Sequence, residues 1–202
     1  MSWIGNHLED HPNVFIDTSW WNPIDLVTLF AYAPPGRILF ASDAPYGLPA
    51  MNAILTLRSA LQVGLSPEQI RAVAGDQLER LLAGQAPLDM GPAPGPPQAP
   101  SDLILGRVCT YLVVALGRLI VGAPADEMVS LARLGCTVDE RAPQAPICRA
   151  MADLIDMYER AAASGDLTTP SPQRLVALGP LLLAATLAFT PRVPPPAELA
   201  AV

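Results

Sequence analysis

Two short apolar runs end on residues able to do acid–base or metal chemistry. NVFID, residues 13 to 17, closes on Asp17 and leads into Thr18, Ser19, Trp20 and Trp21; RILFA, residues 37 to 41, leads into Ser42, Asp43, Pro45 and Tyr46. In parallel α/β sheets, functional side chains stand at the carboxyl ends of the strands, on the loops entering the next helices. An aspartate directly after a buried strand must be hydrogen-bonded, paired or metal-bound, because an isolated carboxylate in a dry site is too costly to keep ionised. From its chemistry alone, Asp43 therefore reads either as a structural acceptor for backbone amides or as a functional carboxylate.

The elements that position these residues follow from periodicity and caps. Neither apolar run alternates polar with apolar, which suits strands buried on both faces of a parallel sheet. Between them, Asn22-Pro23 supplies an N-cap and a first-turn proline, Ile24 to Ala33 reads as a helix, and Pro34-Pro35-Gly36 stops it. Strand, helix and strand make a βαβ unit. After the YGLP loop, a helix is expected near 50–63. Ser66-Pro67-Glu68-Gln69 forms a capping box for another, and Gly75-Asp76 is expected to end that helix and cap a last one through Leu82.

Residues 85–100, QAPLDMGPAPGPPQAP, hold six prolines and two glycines and read as a linker. Beyond it, residues 101–193 predict helices near 102–121, 124–134, 144–163 and 172–190. Arg107 and Arg118 fall on nearly one face of the first, as in an amphipathic helix of a small bundle. Residues 194–202 read as a disordered tail.

Composition narrows the function classes. The 202 residues are 51% hydrophobic, enough for a buried core. All twelve basic residues are arginine against 19 acids, with no basic stripe, so a nucleic-acid footprint is excluded as an expectation. Cys109, Cys136 and Cys148 are irregularly spaced and read as reduced, mostly buried thiols of a cytoplasmic protein. The N-terminus shows no secretory pattern. The longest uncharged run, between Arg174 and Arg192, is 17 residues with Gly179-Pro180 inside it, and a buried core helix is expected there rather than a membrane span.

The succession HPNVFIDTS, GRILFASDAPYG and GLSPEQIRAVAGDQLERLLAG, over residues 6–84, resembles the C-terminal end of amidohydrolase-related, TIM-barrel metal-dependent hydrolases. The fold implied is α/β: a partial (β/α)8 barrel end, with the last two strands and closing helices in residues 1–84, followed by an all-α segment. The resemblance makes Asp43 the catalytic aspartate, a ligand of a divalent metal (zinc foremost) or the acceptor for the proton of its water. The reaction implied is hydrolysis of a C–N or C–O bond, or decarboxylation, in a small-molecule substrate. Ser42 would fix the strand end, and Ser19, Trp20, Trp21 and Tyr46 would wall the substrate pocket.

Several of that family's parts have no counterpart. Its His-x-His strand and middle-strand histidines are missing, and the two histidines present, His7 and His11, precede the strand that begins at Asn13. A five-residue strand separates them from Asp43's end by roughly 16 Å, too far for a shared ion whose ligands lie about 2 Å away. Both are therefore expected to be structural. The chain reads as an N-terminally truncated form, inactive by itself, whose sheet edges would need a missing portion or self-association to cover them. The alternative is a non-catalytic helical interaction module.

Overall fold

A computed structural model describes residues 8, 10–47, 49–96, 102–164 and 172–193, the last span without the side chains of 172, 173 and 175. The chain forms two compact units, Met1–Ala99 and Pro100–Val202.

In the first unit, β1 (Ile16–Asp17) runs parallel to β2 (Ile38–Leu39), with Ile16 opposite Ile38 and Asp17 opposite Leu39. Helix α1 (Pro23–Tyr32) connects them. Its cap forms as the sequence predicts, the Asn22 side chain accepting from Ile24 N and Asp25 N at 3.0 Å. Leu26, Leu29 and Phe30 of α1 and Ile38 of β2 are buried together in the core of this unit. Helix α2 (Pro49–Val63) packs on α1. Next come α3 (Pro67–Arg71), a π turn (Ala72–Asp76) and α4 (Gln77–Leu82). The capping box at Ser66 and Gln69 is present.

The expected partial TIM barrel is not the fold. The molecule is predominantly helical, and its described strands are these two pairs of residues rather than five-residue runs. The reason lies in where the flanking backbone groups go. Arg37 takes the carbonyls of the residues before β1, reaching Leu8 O at 3.1 Å, Val14 O at 3.2 Å and also Pro12 O, while its guanidinium lies 5.4 Å from the Phe15 ring centre. Past β2, Phe40 N donates to Val73 O in the π turn, and Ala41 N donates to the Thr18 hydroxyl at 3.1 Å. Backbone groups that would extend a ladder are satisfied by a side chain or a helix instead.

Two local expectations also change. The helix passes through Gly75-Asp76 as a π turn, and Asp76 caps nothing with its side chain. Gly75 does not take the left-handed conformation with which glycine ends a helix. The proline-rich stretch to residue 96 is not loose. Buried Gln77 donates to Gly36 O at 2.6 Å and accepts from Leu88 N at 2.8 Å, Gln69 donates to Met90 O at 3.0 Å, and Gly95 N donates to Ala31 O at 3.0 Å.

The second unit is a bundle of α5 (Leu103–Ile120), α6 (Asp126–Gly135), α7 (Ala145–Ser164) and α8 (Pro172–Phe189), each close to its expected bounds. Leu105, Val108, Cys109, Leu112, Ala115 and Leu116 form the buried stripe of α5, at the three- and four-residue spacing of an amphipathic helix. Arg107 and Arg118 are exposed as expected. By length and a mean hydropathy of 1.8, α5 alone among the described helices is able to cross a membrane, and it packs against both α6 and α8. Helices α7 and α8 pack together, and Met151, Leu154 and Ile155 of the one and Leu181, Ala184 and Ala185 of the other are buried. The tail 194–202 lies outside the described residues.

Candidate functional site

The residues after β1 and β2 form the site. Thr18, buried, ties the two strand ends together: its N donates to Leu39 O at 3.1 Å, and its hydroxyl donates to Ala41 O at 3.4 Å while accepting from Ala41 N. Asp17 turns back on its own loop, Oδ1 accepting from Ser19 N at 2.9 Å and from the Ser19 hydroxyl. That is the local turn an aspartate makes with the residue two positions on. Trp21 is aimed at the same place, its indole N–H donating to Asp17 O at 3.0 Å.

Trp20 points the other way and reaches Asp43. Its Nε1–H donates to Asp43 Oδ2 at 2.6 Å, across 23 positions of sequence. Both residues hold left-handed backbone, φ 61° for Trp20 and 53° for Asp43. Asparagine and aspartate tolerate this region, whereas a bulky residue such as tryptophan enters it only when its surroundings force it. Asp43 is held in turn by its loop: its carbonyl accepts from Tyr46 N and Gly47 N, both at 2.9 Å. The loop includes the cis Ala44–Pro45 bond. Asn52 of α2 donates to Ser42 O at 3.1 Å, and a Cβ on Gly47 would lie 1.9 Å from that same oxygen. The 42–47 loop thus closes so tightly that only a glycine fits at 47.

Of the side chains expected at the site, the fold brings that of Trp20 to the Asp43 carboxylate, while Tyr46 meets Asp43 through its backbone N only. Ser19 and Trp21 are engaged with Asp17. Tyr46 is 69% exposed and Trp20 59%, so the aromatic side chains stand toward solvent rather than closing over the carboxylate. An apolar cavity of about 190 Å³ does lie in this unit, lined by Phe40, Thr56, Leu57, Ala60, Ile70 and Val73 among others. None of Ser19, Trp20, Trp21, Asp43 or Tyr46 contributes to its wall. The cavity, and the buried hydroxyls of Thr56 in its wall and Ser59 on the same helix, which have no hydrogen-bond partner among the described residues, give no sequence signal, because the α2 pattern reads as an ordinary helix. Arg58 on the same helix is buried, and burial pushes its guanidinium down to about 10.

The described residues do not by themselves make a metal site. Among the described residues no three histidine, cysteine or acidic side chains converge, whereas a catalytic zinc needs about three protein ligands. His11 is exposed in the turn before β1, at the opposite end of the strand from Asp43, and His7 lies outside the described residues. At the strand ends the second carboxylate, Asp17, is already engaged by Ser19.

Among protein-family models, curated proteins and solved structures, none matches this chain.

Proposed function

We propose that Asp43 is the water-activating carboxylate of a hydrolytic site of the amidohydrolase-related type, for which this chain supplies the strand-end loops 17–21 and 41–47. The observation that supports this reading is the Trp20–Asp43 pair: two non-glycine residues in left-handed backbone, hydrogen-bonded to each other where β1 and β2 end. Such conformations cost about 1–3 kcal/mol each and persist where the surrounding structure over-determines them, which is characteristic of functional sites. Trp20 occupies Oδ2 and fixes the carboxylate's orientation, while Oδ1 makes no hydrogen bond among the described residues and the residue is exposed. A water held there gives its proton to Oδ1 and attacks the carbonyl carbon of an amide, ester or lactone; the C–N or C–O bond then breaks as the carboxyl returns the proton to the departing nitrogen or oxygen. The described residues do not gather the ligands of a metal, so no step is routed through one. Any metal ligands come from outside them, and slow or absent turnover is expected of this chain by itself.

The test joins genetics to kinetics. The coding sequence upstream of Met1 is read for an in-frame His-x-His strand, and the protein, with that extension where it exists, is assayed on small amides, esters and lactones with and without zinc. The expected result is turnover that falls by about 10²–10⁴ in Asp43→Asn. No such upstream sequence, together with no hydrolysis and no zinc bound by the chain, overturns the proposal.

A second reading, a non-catalytic helical interaction module, draws on apolar side chains left exposed in the second unit. The exposed apolar side chains of α5 and its end, Leu103, Ile120 and Val121, belong to that reading. Sedimentation showing association weakened by charged substitutions there, with Asp43→Asn indistinguishable from wild type, selects it.

A further inference from the structure

The apolar cavity of the first unit lies between helix α2 and the π turn. Helix α2 supplies Thr56, Leu57 and Ala60 at the three- and four-residue spacing of one helix face, the π turn supplies Val73 and Ala74, and Phe40 stands just past β2. The bond of 2.9 Å from Phe40 N to Val73 O ties two of these walls together. Leu57 and Ala74 are exposed and mark the mouth, whereas Thr56, Ala60 and Val73 are buried. Thr56 is the one wall side chain with a polar group. It is 4% exposed, and its hydroxyl has no hydrogen-bond partner among the described residues. A threonine inside a helix can return its hydroxyl to the carbonyl four positions back. Thr28, Thr110 and Thr186 do so, at 2.9, 2.9 and 2.8 Å, and Thr56 does not. A buried hydroxyl left in this state bears its full desolvation cost.

We propose that this cavity binds a small neutral molecule with an apolar body about the size of one ring and a single oxygen, such as a phenol or an alcohol, that accepts a hydrogen bond from Thr56. Volume sets the size. The cavity holds about 190 Å³, somewhat more than the roughly 150 Å³ in which an engineered apolar cavity binds benzene, so a ring with one or two small substituents fits. The wall sets the polarity. No charged side chain lines it, so a carboxylate, phosphate or ammonium group would lose its water without gaining a counter-charge. Water is a poor occupant, because a held water makes about two to four hydrogen bonds and the side chains of this wall offer one hydroxyl. The π turn agrees with a binding role, since such turns are frequent at functional sites and here two of its residues, Val73 and Ala74, face the cavity. The cavity is independent of the hydrolytic reading, for none of residues 17–21 or 42–47 lines it.

The experiment adds p-cresol or toluene to the isotope-labelled full chain and follows the backbone amide resonances by NMR. Saturable binding of p-cresol is expected with a Kd of about 1 mM or tighter. The shifted amides are expected to be those of Phe40 and of residues 53–60 and 70–74, which surround the cavity. Thr56→Val keeps the branched shape and removes the unpaired hydroxyl, so it is expected to fold as well as wild type. It should bind p-cresol about 3–10-fold more weakly, the worth of one neutral hydrogen bond, and toluene no more weakly than wild type does. Ala53→Leu, at a half-buried position of the same wall, fills the space and should abolish binding of both probes. Where Ala53→Leu fails to fold, the shift map of the unmodified chain and the Thr56→Val comparison still decide. No saturable shift with either probe, shifts centred outside these segments, or a p-cresol affinity that Thr56→Val leaves unchanged overturns the proposal.

Discussion

The Trp20 indole donates to Asp43 Oδ2 at 2.6 Å, and each of these two residues is held in left-handed backbone. The backbone cost and the hydrogen bond act on the same atoms, which separates two substitutions at Asp43. Asp43→Asn keeps a short polar side chain that tolerates this conformation and an oxygen that accepts from Trp20. Asp43→Ala loses the acceptor and places a bare Cβ where left-handed backbone costs roughly 1–2 kcal/mol. Urea unfolding followed by tryptophan fluorescence is expected to leave Asp43→Asn near wild type and to show Asp43→Ala less stable by about 1–2 kcal/mol. Equal stabilities for the two variants would contradict this account.

Gly47→Ala is expected to be the most damaging single-methyl change in the first unit. Its Cβ meets the Ser42 carbonyl oxygen at 1.9 Å, a backbone atom that cannot rotate away. The loop must open, carrying Asp43 off Trp20, at a cost of about 3 kcal/mol, the upper end for overpacking. The midpoint of urea unfolding checks the magnitude. The shift in Trp20 fluorescence at zero denaturant checks that the loop has moved.

Gln77 anchors the proline-rich stretch to the first unit. Buried, it donates to Gly36 O and accepts from Leu88 N. Gln77→Leu fills the space and leaves those groups unpaired, at about 1–3 kcal/mol for each buried group that water does not reach. Brief digestion with a broad-specificity protease is expected to cut within 86–95 in the variant well before wild type. Gly36→Ala should do the same from the other side, since its Cβ would lie 2.6 Å from Leu88 O.

Asp102 caps α5, accepting from Ile104 N and Leu105 N at 2.9 Å and also from the Gln144 amide. Burial opposes its ionisation, but the hydrogen bonds from Leu105, Gln144 and Ile104 outweigh it and hold the carboxyl below the ordinary 3.8. A carboxylate lowered in the folded state stabilises above its unfolded value, and the contribution is lost as pH falls through the folded one. Asp102→Ala is thus expected to cost the second unit about 1 kcal/mol at neutral pH, the usual worth of an N-cap, and little well below pH 3.8. Asp102→Asn, still a capping side chain, should lose less at neutral pH. Thermal unfolding of the three proteins across that range checks the sign.

Legibility tracked distance along the chain. Asn22, the Ser66–Gln69 box and the stripe from Leu105 to Leu116 are recognisable because capping and helical periodicity join residues no more than four apart. Asp43 stands out for the same reason, as a carboxylate directly after an apolar run. Its partner does not. Trp20 reads as a pocket wall, and nothing within a few positions of it marks a donor aimed 23 residues onward. Arg37 reads as the start of a strand, yet its guanidinium takes three carbonyls from residues 8–14 and helps to keep that strand short. Gly75 reads as a stop because glycine often ends helices, and the π turn passes through it because nothing there demands positive φ.

By itself, then, the sequence determined most of the helices, the caps at Asn22 and Ser66, a break in the chain before residue 101 and a carboxylate standing directly after an apolar run. Each of these rests on propensity, periodicity or a hydrogen bond closed within a turn. Tertiary structure alone decided that the parallel pairing stops after two residues, that the side chain of Trp20 and not that of Ser19, Trp21 or Tyr46 meets the Asp43 carboxylate, and that Gln77 holds down the proline-rich stretch. Those relations depend on which of several competing partners a buried donor or acceptor finds once the chain is compact, and that choice is made by packing, not by neighbours in sequence.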